Sequence, residues 1–271
     1  MIIGFLGKGG SGKSTLSTKV TNFLSQNKNN TVLALDADYN MDLLHNLEAG
    51  DDLKFLGDDA KFLLKKVLGA DEKAMYADLV LDENNANKFS ISDPDEFTKT
   101  YSKKIHRNLH VMAVGPHSEN VLNGKMCSHG LGALLKAYLP LINVKENEYI
   151  IIDEKAGVDS VGTGIPSGFN MSIIVVESTI HGVKAAKQIS SLLKNHYDLP
   201  YVYVVNKVRF ESDVEFIQKE LGTENIIDYI PFCEEVSNIH AEKIIDYVKK
   251  HIENNGDRRL EQSMSKFKKI C

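Results

Sequence analysis

One glycine-rich stretch near the start of the chain constrains its fold more than any other feature. Gly7 is followed by four residues and then by Gly12, Lys13 and Ser14, which is the G-x-x-x-x-G-K-[ST] pattern. An apolar run over residues 2–6 precedes it, and a helix-like segment begins near Lys13. The sequence therefore predicts a strand, a phosphate-binding loop and a helix in direct succession. The alternative is a flexible glycine-rich turn.

The chemistry of such a loop assigns roles to its residues. Glycines let successive backbone N–H groups curl around phosphate oxygens at the amino end of a helix. Lys13 would meet the β- and γ-phosphates, and the Ser14 hydroxyl would bind Mg²⁺. We therefore expect a nucleotide to contact the whole loop, which comprises Gly7, Lys8, Gly9, Gly10, Ser11, Gly12, Lys13, Ser14 and Thr15.

Composition favours one large α/β core over residues 1–271. The chain has 271 residues, of which 42% are hydrophobic and 25% charged, and such a chain can bury a core without disulfides or metals. A net charge of −5 gives no bulk attraction to nucleic acid or to anionic membranes. Three widely spaced cysteines suit a reducing cytosol. Because no apolar run reaches about 18 residues and the chain starts on a strand, we predict a cytoplasmic protein without signal peptide or spanning helix.

Apolar runs alternate with helical patterns along the rest of the chain. The runs that predict strands cover residues 31–35, 109–114, 148–153, 171–176 and 201–205. Helical spacing of apolar residues occurs near 131–141, 183–194 and 241–253. This alternation predicts a doubly wound α/β fold, with a mostly parallel sheet and helices on both faces, as in P-loop nucleotide hydrolases.

Two of the predicted strands deliver acidic residues at their carboxyl ends. The second strand leads into Asp36 and Asp38, and a later strand ends on Asp153. Ligands of open parallel sheets bind outside the carboxyl ends of the strands, so these carboxylates are expected beside the phosphate loop. We predict that Asp153 holds Mg²⁺ through water opposite Ser14, as the aspartate of a Walker B strand does. For Asp36 and Asp38 the alternative is a capping cluster before a helix at Met41.

A second lysine, Lys8, follows the first glycine, so the loop reads Lys-Gly-Gly-Ser-Gly-Lys-Ser. This resembles the deviant phosphate loop of the MinD, ParA, nitrogenase iron protein and CooC group of ATPases. In that group the extra lysine crosses a dimer interface and touches the partner's nucleotide. The resemblance implies an ATP-dependent homodimer in which Lys8 acts in trans, with Lys13 and Asp38 as the other catalytic residues. A solvated loop lysine is the alternative for Lys8.

The resemblance extends to a first switch segment that senses the nucleotide. Asp36, Asp38 and Asn40 form the D-x-D-x-N pattern of that segment. By resemblance Asp38 orients the attacking water, while Asp36 supports the Mg²⁺ from further away. The magnesium site is then expected to comprise Ser14, Asp36, Asp38 and Asp153.

A second switch is expected around Ala156 and Gly157. The stretch from Asp153 is similar to the D-x-E-A-G-x-E-x-x-x-R-G-T segment of CooC-like proteins, but Lys155 stands at the glutamate and Thr163 at the arginine. Gly157 supplies the backbone freedom that a loop sensing the γ-phosphate needs. The switch architecture is therefore expected to persist while its coupling to a client changes.

The adenine base is expected at the end of the 201–205 strand and at a later loop around Pro231. In the resembled family an asparagine at the end of the 201–205 strand hydrogen-bonds the base, which assigns Asn206, with Lys207 beside it. Pro231 and Glu234 lie in a segment similar to the I-P-x-x-E-x-V loop that closes over the adenine. A turn residue that terminates the strand is the alternative for Asn206.

Cys127 and His129 form a C-x-H pair where CooC-like proteins carry C-x-C. One thiolate and one imidazole cannot fill a tetrahedral site. Doubled across a two-fold axis, the pair would give a Cys₂His₂ site suited to Zn²⁺ or Ni²⁺ at the dimer interface. The alternative is an incidental pair.

Two further segments carry no motif. Residues 51–105 are charged and rich in Asn and Lys, with helical stretches near 52–67 and 71–81, and we expect this helical insertion to touch a partner or the other subunit. The basic tail 258–271 has apolar residues at helical spacing. It is predicted as a solvated or dimer-packing helix, with membrane binding as the alternative.

These expectations lead to a functional hypothesis. The chain would be a slow Mg·ATP-dependent ATPase switch that inserts nickel or a related metal into a client metalloenzyme similar to carbon monoxide dehydrogenase. The alternative is a positioning or partition ATPase of the MinD and ParA type, acting by reversible membrane or DNA binding. A redox role like that of the nitrogenase iron protein would need two cysteines per subunit at the interface, and Cys127 alone is placed for it.

Overall fold

The fold is built on one mostly parallel sheet. The computed structural model describes residues 1–50, 52–59, 89–117, 123, 133–232 and 236–267. The described strands are β1 (Ile2–Gly7), β2 (Thr31–Asp36), β3 (Lys103–Lys104), β4 (Leu109–Ala113), β5 (Glu148–Asp153), β6 (Met171–Glu177), β7 (Tyr201–Val208) and β8 (Ile226–Pro231). They form an eight-stranded sheet in the order β3-β4-β2-β5-β1-β6-β7-β8. All neighbouring pairs are parallel except β3 with β4.

Helices cover both faces of the sheet. The described α-helices are α1 (Lys13–Gln26), α2 (Asp42–Asn46), α3 (Glu96–Tyr101), α4 (Ala133–Tyr138), α5 (Asp159–Gly162), α6 (Ile180–Leu192), α7 (Glu211–Leu221), α8 (Asn238–Asn255) and α9 (Arg259–Phe267). Leu16 of α1 and Ile244 of α8 pack into the apolar layer on one face. Leu135 of α4 and Ile189 of α6 pack into the layer on the other. The predicted doubly wound fold is therefore confirmed.

The central strands follow from their composition. Every residue of β1 and β5 is buried, which is the pattern expected when both faces of a sheet are covered. Each predicted apolar run corresponds to a strand of the sheet. The edge strand β3 was not predicted, because two residues are too few to carry a hydrophobic pattern.

Several helix boundaries differ from the predictions for identifiable reasons. The pattern near 131–141 becomes α4 followed by a 3₁₀ turn, Leu139–Leu141, because Pro140 cannot continue an α-helix. Helix α6 begins earlier than predicted because the Thr179 side chain accepts a hydrogen bond from the N–H of Gly182. Helix α7 is missing from the predictions. Near its start, the Asp213 carboxylate accepts hydrogen bonds from the N–H groups of Arg209 and Phe210, which precede the helix.

The predicted helix near 52–67 is wrong for the part that the structure describes. Residues 52–59 contain a 3₁₀ turn, Leu56–Asp59, instead. The N–H of Gly57 donates to the carbonyl of Val114 at 2.9 Å, beyond the end of β4, so this backbone pairs with the sheet edge rather than within a helix. The helical stretch predicted near 71–81 lies outside the described residues.

The tail helix α9 packs against the domain. Arg259 is 5% exposed, and its guanidinium donates to the carbonyl of Leu139 at 3.0 Å and pairs with Asp257 at 2.7 Å. The Ser263 hydroxyl donates to the carbonyl of Ser167 at 3.0 Å. The described part of the tail, residues 258–267, is therefore a packing helix. Nowhere in the described ranges is there a helix with both the length and the apolar character required to cross a membrane.

Two adjacent arginines test how firmly α9 is held. Arg259→Ala should lower the free energy of unfolding by about 2–3 kcal/mol, because buried acceptors lose their charged donor. Arg258, at 49% side-chain exposure, pairs with Glu261 at 3.3 Å on the surface, so Arg258→Ala should leave the free energy of unfolding nearly unchanged. Urea unfolding of both variants measures the difference, and equal effects would contradict the packing role of Arg259.

Candidate functional site

The loop after β1 curls as the glycine pattern predicts. Gly12 has φ +97°, and a Cβ there would lie 2.3 Å from the amide nitrogen of Asn206. Gly10 also lies in the left-handed region, with φ +80°. The N–H of Ser11 donates to the carbonyl of Lys8 at 3.1 Å, which closes a turn just before α1 starts at Lys13. A helix amino terminus therefore faces the space that the loop encloses.

The carboxyl ends of β2 and β5 bring two acidic side chains beside this loop. Asp36 and Asp153 occupy paired positions in the sheet, and Phe5 of β1 pairs with Asp153 on the other side. Both carboxylates are buried. The prediction that Asp36 and Asp153 meet near the phosphate loop therefore agrees with their register.

Asp153 has the properties of a cation ligand. Its two carboxylate oxygens are buried and receive no hydrogen bond of standard geometry from the described residues, although the Ser14 hydroxyl lies near enough to stabilise the charged form. Burial raises its pKa to about 6, while the Ser14 hydroxyl and the Lys13 ammonium act to lower it. A carboxylate next to a serine hydroxyl is a donor set that Mg²⁺ prefers. The residues present therefore fit the predicted magnesium site.

Asp36 and Asp38 organise the first switch segment. The Asp36 carboxylate accepts from the N–H groups of Asp38 and Leu44, each at 3.1 Å, and burial raises its pKa to about 8. The Asp38 side chain, half-buried, accepts from the N–H of Asn40 at 3.2 Å. By accepting from the N–H of Leu44 in the first turn of α2, Asp36 caps that helix, which is the alternative role that the sequence left open. Helix α2 starts after Met41, at Asp42, one residue later than predicted.

The second switch segment contacts the phosphate loop. The N–H of Gly157, with φ +81°, donates to the carbonyl of Gly7 at 2.9 Å. A Cβ on Gly9 would lie 3.7 Å from the Cβ of Ala156. Ala156 and Gly157 are therefore brought together with the loop, where a sensor of the γ-phosphate has to be.

Sequence reasoning missed a contact between the two switches. The Lys155 ammonium lies 6.0 Å from the centre of the Tyr39 ring, in a cation–π arrangement, and that ring packs at 4.4 Å from the ring of His117. In the sequence alone, Lys155 stands out only as a departure from the family pattern. Its contact with Tyr39 shows that the substituted residue links the second switch to the first.

Glu154 is a further buried carboxyl that the sequence did not single out. It is fully buried, and its oxygens have no partner within the ranges that the structure describes. Burial raises its pKa to about 8, although Lys155 acts to lower it. The available signal was an acidic residue directly after Asp153.

The predicted adenine-binding residues border a cavity of about 450 Å³ beside the loop. Its lining includes Gly12, Thr15, Asn206, Lys207, Pro231 and Phe232. Phe232 was not predicted; its ring is 52% exposed and lies 3.8 Å from the Arg209 guanidinium. The cavity is large enough for a nucleoside. Glu234, also predicted to contact the base, lies outside the described residues.

Asn206 is engaged within the protein. Its amide nitrogen donates to the carbonyl of Ser11 at 2.8 Å, and its amide oxygen accepts from the N–H of Lys207 at 2.9 Å. The predicted hydrogen bond to adenine remains a prediction. In this structure the side chain supports the phosphate loop.

The C-x-H pair, Cys127 and His129, lies outside the described residues. Within the described ranges, no group of three or more His, Cys, Asp or Glu residues could hold a metal ion. A transition-metal site at the dimer interface therefore stays a prediction.

A family model described as the CobQ/CobB/MinD/ParA nucleotide binding domain matches residues 2–245. The chain belongs to this family. Membership in this family confirms the resemblance to the MinD/ParA group inferred from the deviant loop.

Among known protein sequences the chain is similar to two kinds of protein. An uncharacterized ATP-binding protein of Methanocaldococcus jannaschii is 26% identical over 243 residues, covering 87% of this chain and 90% of that protein. The carbon monoxide dehydrogenase accessory protein CooC of Rhodospirillum rubrum is 25% identical over 233 residues, covering 86% and 84%.

Solved structures of the family share the fold. A plasmid partition protein from Borrelia burgdorferi superposes with a TM-score of 0.56 at 17% identity, covering 100% of this chain and 98% of that one. The septum site-determining protein MinD from Pyrococcus horikoshii, complexed with Mg-ADP, gives a TM-score of 0.55 at 18% identity, covering 99% and 93%.

A glycine pair tests the loop geometry of this family member. Gly12→Ala should weaken nucleotide binding at least about tenfold, because a Cβ at positive φ is strained and would displace Asn206. Gly162→Ala is the control, since a Cβ there meets nothing within 4 Å. Calorimetric titration with ADP measures both. Unchanged affinity in Gly12→Ala would show that the loop does not bind the nucleotide in this conformation.

Proposed function

We propose that the chain is an Mg·ATP-dependent switch that dimerises when ATP binds and separates after slow hydrolysis. The buried Asp153 carboxylate, which receives no hydrogen bond of standard geometry from the described residues and lies beside Ser14 at the phosphate loop, carries this proposal. It supplies ligand atoms where a nucleotide-bound Mg²⁺ is needed. Membership in a nucleotide-binding family and similarity to ATP-binding proteins support the same reading.

Each residue of the site then has a defined task. The loop N–H groups and Lys13 hold the phosphates, while Ser14 and Asp153 hold the Mg²⁺, with Asp36 in support. When bound, the Mg²⁺ would neutralise charge on the phosphates. Asp38 orients the attacking water. Catalysis of this kind consists of positioning and charge stabilisation, so hydrolysis is slow until a partner completes the site.

The surface around the site supports association. The exposed large apolar side chains of the described residues are Val158, Ile180, Phe210, Phe232, Ile239 and Tyr247. All but Tyr247 follow the carboxyl ends of β5, β6, β7 or β8, at the edge of the sheet that carries the nucleotide site. Apolar side chains gathered on one edge are typical of a surface that a partner covers. Lys8 is exposed at the same edge, where it can reach across to a partner's nucleotide.

Removal of one lysine tests the dimer. Lys8→Ala should retain ATP binding but lose ATP-driven dimerisation, because the charge that bridges the two subunits is gone. Lys28, an exposed lysine beyond the far end of α1, provides the control variant Lys28→Ala. Light scattering with and without ATP measures the mass. Unchanged dimerisation of Lys8→Ala would reject the trans role.

For the client we favour a metalloenzyme that receives nickel or a related metal. Similarity to CooC, a carbon monoxide dehydrogenase accessory protein, supports this assignment, as does the C-x-H pair of Cys127 and His129. The alternative, a positioning or partition ATPase, shares the fold of its structural neighbours. Burial of Arg259 and Ser263 opposes a membrane-binding tail, because the described part of α9 is already packed.

Metal analysis separates these two functions. In the maturation function, the ATP-bound dimer should bind about one Zn²⁺ or Ni²⁺, and Cys127→Ala should abolish binding because the site loses its thiolates. Cys271→Ala is the control, since that cysteine lies in the tail. Elemental analysis after gel filtration gives the ratio. Absence of metal together with ATP-dependent binding to liposomes or DNA would favour the positioning function instead.

A further inference from the structure

We propose that Lys207 and Glu177 are positioning residues that hold the phosphate loop in its nucleotide-binding conformation. The Lys207 ammonium donates to the carbonyl of Gly10 and to the carboxylate of Glu177, each at 2.5 Å. Glu177 is the last residue of β6, and Lys207 lies near the end of β7. Residues at the ends of β6 and β7 thus hold the loop that follows β1. The inference rests on residues 7–15 being the nucleotide site.

The backbone at the end of β7 is distorted to present this lysine. The register of β7 with β8 shifts between Asn206 and Val208. Lys207 has φ +63°, a left-handed conformation that is uncommon outside glycine. A bulge of this kind turns a side chain away from its regular direction and is frequent beside functional sites. The N–H of Lys207 donates to the amide oxygen of Asn206, which fixes the distorted turn.

Two consecutive carbonyls of the loop are held from the same side. Lys207 holds the carbonyl of Gly10, and Asn206 holds that of Ser11. In a planar trans peptide the next N–H points opposite to the carbonyl, so the N–H of Gly12 points away from Asn206. The N–H of Ser11 is also fixed, by its bond to Lys8. Lys207, Glu177 and Asn206 together form a bracket around the loop. This bracket sets the direction in which the N–H groups of the loop peptides point.

The glycine content of the loop explains why a bracket is needed. Three glycines between Lys8 and Lys13 give the free loop more backbone freedom than other residues would. When a nucleotide binds to a mobile loop, the loop becomes ordered and loses conformational entropy. This loss weakens the affinity for the nucleotide. Contacts that order the loop beforehand remove part of this loss. Because its ammonium is engaged by the carbonyl of Gly10 and the carboxylate of Glu177, Lys207 acts through the loop rather than through the nucleotide contact expected from the sequence.

The chain offers a matched control for this pair. Lys187 of α6 and Glu220 of α7 form an ion pair at 2.6 Å with side-chain exposures of 48% and 34%. Lys207 and Glu177 pair at 2.5 Å with exposures of 39% and 20%. Neither residue of the α6–α7 pair lines the cavity beside the loop. Lys187→Met thus removes a similar surface ion pair without removing the bracket.

The experiment compares Lys207→Met, Lys207→Arg, Glu177→Gln and Lys187→Met with the parent chain. Amide hydrogen exchange of peptides spanning residues 7–15 is measured without nucleotide, so the bracket is tested even if the chain is not an ATP-driven dimer. ADP affinity is measured by calorimetry. Thermal unfolding of the nucleotide-free variants reports whether each variant folds.

Lys207→Met should speed exchange in the loop and weaken ADP binding about tenfold, the loss expected for one charge-assisted hydrogen bond. Glu177→Gln should do the same to a smaller extent, Lys207→Arg should recover part of the loss, and Lys187→Met should change neither. Weaker binding of ADP without faster loop exchange would make Lys207 a direct nucleotide contact and overturn the proposal. If Lys207→Met does not fold, an unchanged loop in Glu177→Gln overturns it equally.

Discussion

The site depends on the register of β1 between β5 and β6. Phe5 pairs with Asp153 on one side, and Gly7 pairs with Val175 on the other. Those pairings place the start of the phosphate loop level with the end of the strand that carries Asp153. They also let Gly157 reach the carbonyl of Gly7. Because the side chains of a strand alternate between the two faces of the sheet, a slip of one position would turn these residues to the wrong face and separate the loop from the carboxylate and from the second switch.

Burial of acidic groups is the electrostatic consequence of this arrangement. Burial raises the pKa of Asp36 and Glu154 to about 8 and that of Asp153 to about 6. The folded chain therefore holds protons on these groups that the unfolded chain releases near pH 4. Their burial costs stability progressively as the pH rises from about 4 towards 8. The carboxylates lie at the carboxyl ends of the strands, where a cation and a phosphate chain would meet them. The loss of stability is therefore confined to the place where the proposed ligands bind.

The sequence predicted the central strands and the phosphate loop, where the signal is a continuous apolar run or a fixed spacing. It missed helix α7 and placed a helix over residues 52–59, where the structure has a 3₁₀ turn. Fully buried strands such as β5 are continuous apolar runs, and the spacing of Gly12 and Lys13 specifies a loop before a helix. The contacts of Tyr39 with Lys155 and of Lys207 with the loop could not be predicted from the sequence, because each contact joins segments that are distant in the chain. Residue type did not reveal them either: an aromatic residue beside a lysine, or a lysine after a strand, has many other uses.

The tail helix limits where the second switch can move. Ser263 of α9 donates to the carbonyl of Ser167, in the 3₁₀ turn Ile165–Gly168 that follows the switch. At the other end, Gly157 is attached to the phosphate loop. The segment between these anchors contains two glycines at positive φ, Gly157 at +81° and Gly164 at +76°. Since the core beyond Ser167 is close-packed, any rearrangement driven by a γ-phosphate at the proposed site is expected between these two glycines, where helix α5 lies.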